Sequence, residues 1–432
     1  MHSAPVSSNA PTLVVDTQAT QVDPPRAGEA SLGEAATLVA EGDAGAAVAV
    51  RASGASHRST VLPRLELVGD APRLVNDNRL RFEERGLLGR GGVGEVLLAQ
   101  DNDIERPVAV KRLLPDLQRP AMVGRFVEEI RTLGRLDHPN IVPVHDVGTD
   151  AEGRYYYVMK YVEGETLEDI LAKLAAGDAE YHARYTLERR VQLFQAILRA
   201  VQYAHAQGVI HRDLKPANVM VGRFGEVMLM DWGLARRLRD EAQGPLEGEL
   251  GRVSQSPVSP KLRTMVGAVL GTPAYMAPEQ ARGDTAAIDE RADIYALCVM
   301  LHEMLTLEHY LADLQGIAET LAAVQSRPVP DARGAKSPHQ GPVPAEYGWF
   351  IAKGTEKDPA ARYRSVTEMI DRLQAIDEGK IPVQCMHTFM KRMSCEMAHG
   401  VDRNAPAVMM GTMFTLAAAA VGVGSLVWVF SR

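Results

Sequence analysis

HRDLKPAN, residues 211–218, is the stretch on which the fold turns. It sets Asp213, Lys215 two positions on and Asn218 five positions on, within one short loop. Only 10 of the 47 basic residues are lysine, and none precedes Lys111, so a lysine inside a motif stands against the chain's habit of using arginine.

Working outward, MDWGLAR places Asp231 eighteen residues after Asp213, and GTPAYMAPEQ (271–280) follows. Upstream, LGRGGVGEV sets Gly89, Gly91 and Gly94 in a G-x-G-x-x-G-x-V pattern. Glycines allow a tight turn whose N–H groups approach phosphates. Alone the pattern also suits a dinucleotide fingerprint or a plain hairpin. Here a strand-like run, EVLLAQ, follows the glycines where a dinucleotide fold needs a helix, and VAVK then puts Lys111 on the next strand.

The texture around these motifs is β-rich from about Arg79, in LRFEERGLLG, GEVLLAQ and PVAVKRLL. One helix is expected from Ala121 to Gly134, with Phe126, Ile130 and Leu133 at helical spacing, followed by further strands in IVPVHDVGT and YYYVMKYV. After Gly164 the pattern is mainly helical, as in LERRVQLFQAILRAVQYAHAQG. That order predicts an α+β chain with two lobes. Residues 1–78, rich in Ala, Gly, Ser, Thr and Pro with no aromatic before Phe82, read as a disordered arm that lacks the basic and apolar regions of a signal peptide.

Residues 404–431 carry no charge, and Ala407 to Phe430 is an apolar run of 24 residues. At 1.5 Å per residue that is about 36 Å, enough for a hydrocarbon core of about 30 Å. The expectation is a C-terminal single-pass anchor over 406–430, after a juxtamembrane linker over 378–405 whose Lys391, Arg392 and Arg403 suit a cytoplasmic flank. Ala418 with Gly422, and Ala420 with Gly424, space small residues four apart, which would permit helix pairing and a homodimer. A net charge of −8 argues against nucleic acid as a partner, and three cysteines in 432 residues exclude a disulfide scaffold. Cys385, His387, Cys395 and His399 match no strong zinc spacing.

Four ordered motifs make the chain similar to the bacterial, membrane-anchored, eukaryotic-like (Hanks-type) serine/threonine protein kinases, over about residues 80–376. The resemblance implies a bilobal protein-kinase fold over 79–377, with a β-rich N-lobe (79–163), a helical C-lobe (164–377) and ATP in the cleft between them. It implies transfer of the γ-phosphate of Mg-ATP to protein Ser or Thr hydroxyls, its own included, at the cytoplasmic face of the inner membrane.

It also implies roles for residues. Gly89, Arg90, Gly91, Gly92, Val93, Gly94 and Glu95 form the phosphate loop, with Leu88 and Val96 beside the adenine. Ala109, Met220 and the gatekeeper Met159 complete the adenine site, with backbone groups of Lys160, Tyr161 and Val162 as the hinge. Lys111 holds the α- and β-phosphates and needs a carboxylate partner, Glu129, with Glu128 as the near rival. Asp213 is the base, Lys215 neutralises the transferring phosphoryl group, Thr272 helps position the substrate hydroxyl, and Asn218 and Asp231 hold Mg²⁺. Glu279 with Arg362, and Asp293 with the catalytic-loop backbone, are expected as structural ties.

Two features depart from the family pattern. Trp232 stands where Phe is usual, and the 49 residues from Asp231 to Glu279 make a long activation segment. Thr264 in that segment, then Ser254, Ser256 and Ser259, are expected phosphorylation sites opposite Arg212. The rival readings are a membrane-tethered pseudokinase scaffold, disfavoured by the intact Lys111, Asp213, Asn218 and Asp231, and a small-molecule kinase of similar fold.

Overall fold

The computed structural model describes residues 59–68, 71–75, 79–237, 273–284, 287–335, 337–380, 382–403 and 410. Within 79–163 the chain forms a five-stranded antiparallel sheet and one helix. The strands are β3 (Phe82–Arg90), β4 (Gly94–Asp101), β5 (Arg106–Leu113), β6 (Val144–Thr149) and β7 (Tyr155–Lys160), after an outlying hairpin of β1 (Arg64–Val68) and β2 (Ala71–Val75). Their order across the sheet is β3-β4-β5-β7-β6. Strand β5 alternates so that Ala109 faces Met159 and Lys111 faces Tyr157 across the ladder with β7.

Helix α1 (Pro120–Leu133) begins on a proline, which needs no N–H there, and closes at Gly134. Its buried stripe is Phe126, Glu129 and Leu133. A glutamate on the core-facing stripe of an amphipathic helix must find a charged partner or destabilise the helix's packing.

The helical part follows. It comprises α2 (Leu167–Ala175), α3 (Ala179–Arg184), α4 (Leu187–Ala206), α5 (Pro278–Arg282), α6 (Glu290–Thr306), α7 (Ile317–Ser326), α8 (Ala345–Gly354), α9 (Val366–Asp377) and α10 (Met386–Arg403). Thr166, Thr186, Asp289 and Ser365 cap α2, α4, α6 and α9 with side-chain oxygens. Helix α6 is buried on nearly every face and is the axis of this lobe. Short strands β8 (Gly164–Thr166), β9 (Val209–Ile210), β10 (Val219–Gly222), β11 (Val227–Leu229) and β12 (Arg236–Arg237) carry the site loops.

The α+β, two-lobed expectation holds. One part of it needs correcting. Within the stretch read as a disordered arm, β1 and β2 pair from Arg64↔Val75 to Val68↔Ala71. The run RLELV followed by Gly69-Asp70 supplies a strand and a glycine-led pair suited to a two-residue hairpin loop, a signal that bulk composition averages away. The linker expected over 378–405 contains α10, whose Lys391 pairs with the buried Glu346 of α8. Among the described residues no helix is long and apolar enough to cross a membrane; the expected span, 406–430, lies outside them but for Met410.

Candidate active site

Lys111 projects from β5 toward α1. Its Nζ lies 2.6 Å from Glu129 Oε1 and 3.0 Å from Asp231 Oδ1. Glu128, one residue earlier, is turned to solvent and pairs with Arg131 at 2.7 Å. The helical phase therefore selects Glu129. Burial alone would pull the Lys111 ammonium down, but Tyr157, Glu129 and Asp231 outweigh it and hold its pKa well above the ordinary value. The Lys111 charge in turn keeps the Asp231 carboxyl below the usual range, against the opposing effect of partial desolvation by its neighbours. Lys111 and Asp231 are thus both charged at neutral pH.

The phosphate loop is the turn between β3 and β4. Gly91 N–H donates to the Gly94 carbonyl at 2.8 Å. A Cβ on Gly94 would stand 2.7 Å from the Arg112 carbonyl oxygen, so only glycine fits there without a backbone shift. Gly89 faces open space, and a Cβ on Gly91 would meet nothing nearer than the Gly94 carbonyl oxygen at 3.8 Å. Leu88 and Arg90 are exposed, as are Gly91 and Gly92, and Val93 and Val96 pack on the core's edge. Glu95 is committed to Arg112 at 2.8 Å and 3.0 Å.

Ala109 and the buried Met159 are cross-strand neighbours. Met220 lies on β10 opposite Thr166 and Met228. Lys160 gives its N–H to the Pro143 carbonyl at 3.2 Å, which narrows the expected hinge contacts to its carbonyl and the backbone of Tyr161 and Val162.

The catalytic loop is fixed from below. Asp293, in the first turn of α6, accepts the N–H of His211 on Oδ2 and of Arg212 on Oδ1, each at 2.8 Å, and His205 Nε2 at 2.8 Å. Arg212 is held at φ 67° and Asp231 at φ 59°, a left-handed backbone that costs energy in non-glycine residues and marks sites over-determined by their surroundings. Asn218 donates to the Asp213 carbonyl at 2.8 Å and to its Oδ2 at 3.2 Å, and Lys215 Nζ lies 2.9 Å from the same Oδ2. These are the partners expected of an acid, a cation and an amide acting on one hydroxyl.

The protein kinase domain family matches residues 82–372. This chain belongs to that family. It is 36% identical over 304 residues to the serine/threonine-protein kinase PknD of Protochlamydia amoebophila, a match covering 69% of this chain and 30% of that protein. It is 34% identical over 310 residues to the PknD of Chlamydia muridarum, covering 69% and 32%, and 35% identical over 305 residues to a probable serine/threonine-protein kinase of Streptomyces coelicolor, covering 69% and 40%. The chain spans about a third of the length of the curated relatives it matches. The enzyme class expected from the motifs, a serine/threonine protein kinase, agrees with that family and with those names.

Further ties hold the kinase domain's site in register. The buried Arg362 guanidinium grips Glu279 with two parallel bonds, at 2.7 Å and 2.8 Å, fixing the end of the activation segment. Arg236 and Arg237 of β12 pair with Ile210 and Val209 of β9, so the chain leaving Asp231 is tied to the catalytic loop. Trp232 is 1% exposed, with its ring 4.5 Å from His211 and tilted by 52°. The indole is therefore absorbed into the core, with Asp231 and Lys111 still in contact. Thr272, Thr264, Ser254, Ser256 and Ser259 lie outside the described residues.

The donor chemistry fits a hard divalent cation. Asn218 spends its amide hydrogens on Asp213, leaving its oxygen free to serve as a ligand atom, and the Asp231 carboxylate is 47% exposed. One contact escaped sequence reading: the Tyr157 hydroxyl donates to Glu129 Oε1 at 2.7 Å. The strand register that places Tyr157 opposite Lys111 is the signal that could have revealed it.

Proposed function

We propose that this chain is a serine/threonine protein kinase that transfers the γ-phosphate of Mg-ATP to Ser and Thr hydroxyls of proteins, itself included. The observation that carries the reading is the intact charge set of Lys111 with Glu129 and Asp231, and Asp213 with Lys215 and Asn218. Lys111 would orient the α- and β-phosphates beneath the glycine turn. Asp213 would orient the attacking hydroxyl and take its proton, while Lys215 offsets charge on the phosphoryl oxygens. Mg²⁺ held by Asn218 and Asp231 would neutralise the phosphates. Lys215 and the GTPAYMAPE segment favour a protein hydroxyl over a small-molecule one.

The proposal includes a tether. The apolar run from Ala407 to Phe430 is long enough to span a bilayer, and Arg392 and Arg403 flank it on the side where ATP is found. A helix pair there would raise the local concentration of kinase domains and favour phosphorylation in trans.

The test is phosphate incorporation by full-length protein with Mg-[γ-³²P]ATP. Lys111→Met and Asp213→Asn should each lower it by roughly a thousandfold or more. Equal incorporation by all three removes the reading. Deletion of 405–432 should leave incorporation in place and move the protein out of the membrane fraction; a truncated form that still pellets removes the tether alone.

A further inference from the structure

Tyr157 has no role in the chemistry described so far, yet it touches each part of the lysine–glutamate pair. It stands on β7 directly across from Lys111 on β5. Its side chain is 1% exposed. Its hydroxyl donates to Glu129 Oε1 at 2.7 Å, the same oxygen that Lys111 meets at 2.6 Å. Its ring lies 5.5 Å from that of Phe126, one turn before Glu129 on α1, and the Lys111 ammonium sits 6.0 Å from the ring centre. The other oxygen, Glu129 Oε2, points toward Gly233, where even a Cβ would approach to 3.1 Å.

Two donors on one buried carboxylate oxygen have a simple consequence. A carboxylate taken out of water needs its lone pairs filled, and a hydrogen bond to a charged acceptor is stronger than one between neutral groups. Lys111 is only a divided anchor for Glu129, because its ammonium is shared with Asp231 and would also meet phosphate. Among the described residues the Tyr157 hydroxyl is spent on Glu129. Burial raises the phenol's pKa well above its ordinary value, with Glu129 adding to the rise, so it stays a donor throughout the working pH range.

We propose that Tyr157 is a positioning residue that pins Glu129, and with it helix α1, against the sheet while Lys111 engages phosphate. The anchor comes from the rigid strand rather than from the lysine. Lys111 can then turn its charge toward a nucleotide without releasing the helix. The kinetic part of this inference rests on the proposed kinase activity; the structural part does not.

The experiment uses the full chain carrying Tyr157→Phe, which keeps the ring against Phe126 and removes only the hydroxyl. Hydrogen exchange followed by mass spectrometry should show the amides of Pro120–Leu133 exchanging about tenfold faster, with those of α4 and α6 unchanged. Phosphate incorporation should show kcat lower by about tenfold. In a Glu129→Gln background the same substitution should change kcat by less than twofold, because its route through Glu129 is already cut. A hydroxyl that serves only general stability would instead speed exchange in both lobes and lower kcat equally in both backgrounds, and that result overturns the proposal. Unchanged exchange in α1 also overturns it. If wild-type protein incorporates no phosphate, the proposed function fails, and the exchange measurement alone decides the role of Tyr157.

Discussion

The two halves of the site are held in opposite ways. The catalytic loop rests on a buried acid: Asp293 is 1% exposed and fixes two successive backbone N–H groups and a histidine. The phosphate loop is held more lightly. Gly89, Gly91 and Gly92 are exposed and only Gly94 is buried; the Gly91 N–H bond to the Gly94 carbonyl closes the turn, and the Leu114 N–H bond to the Val93 carbonyl ties it to the end of β5. The contrast suits the work proposed for each half. A base that must meet a hydroxyl within a few tenths of an ångström gains from rigidity. A loop proposed to admit and cover a nucleotide gains from open space, which surrounds Gly89.

The comparison breaks most severely at Asp293. Asp293→Asn would turn an NH₂ toward one of the donors that the carboxylate now accepts. Leaving buried N–H groups without an acceptor costs roughly 3 kcal/mol or more. Phosphate incorporation should fall at least a hundredfold, with a clear drop in Tm by calorimetry. The pH dependence has a definite sign. Burial pushes the Asp293 carboxyl up, but the hydrogen bond from His205, the two histidines and the His211 N–H outweigh it, so its folded pKa lies below the ordinary value. Its contribution is complete above the unfolded pKa of about 3.9 and is lost as pH falls through the folded value. Wild-type stability should therefore drop more steeply than that of Asp293→Asn below about pH 4. Parallel acid limbs would show that Asp293 is not the anchor.

At the phosphate loop the effects should be smaller and of a different kind. Gly94→Ala puts a Cβ 2.7 Å from the Arg112 carbonyl, so β4 and β5 must part locally. Gly91→Ala meets nothing nearer than 3.8 Å. The expected result is about a tenfold rise in KM for ATP with a lower Tm for Gly94→Ala. For Gly91→Ala the rise in KM should come with an unchanged Tm. If both variants lose Tm equally, the loop is under more constraint than its open surroundings imply.

How much was legible in the sequence divides along the same line. Asp213, Lys215, Asn218 and Asp231 were legible because one short loop and one turn supply them, and local spacing is what a sequence displays. Lys111 was legible through its strand order. Tyr157 was not, because its meaning arises from the pairing of β5 with β7, and a ladder between strands some fifty residues apart leaves no local pattern. The burial of Trp232 against His211 was equally hidden, since both packing partners must be in place before the pocket's size is known. The β1–β2 hairpin was missed for another reason: a short strand signal was diluted within a 78-residue stretch rich in Ala, Gly, Ser, Thr and Pro.

The smallest expected effect is also the sharpest check on the pair itself. Glu128 and Glu129 are neighbours, and adjacent helical positions point about 100° apart, so one faces the core and the other the solvent. Glu128 is 67% exposed and its partner Arg131 is 62% exposed, a surface pair three residues apart on one helix. Pairs of that kind contribute about 0.2–0.5 kcal/mol. Glu128→Gln should therefore leave incorporation within twofold of wild type and move Tm by no more than about a degree. Glu129→Gln removes the charge that meets Lys111 at 2.6 Å and should lower kcat by tenfold to a hundredfold. Both variants can be assayed side by side, with identical chemistry changed one residue apart. Equal losses would mean that α1 sits rotated in the active enzyme and that the carboxylate serving Lys111 has been assigned one residue too late.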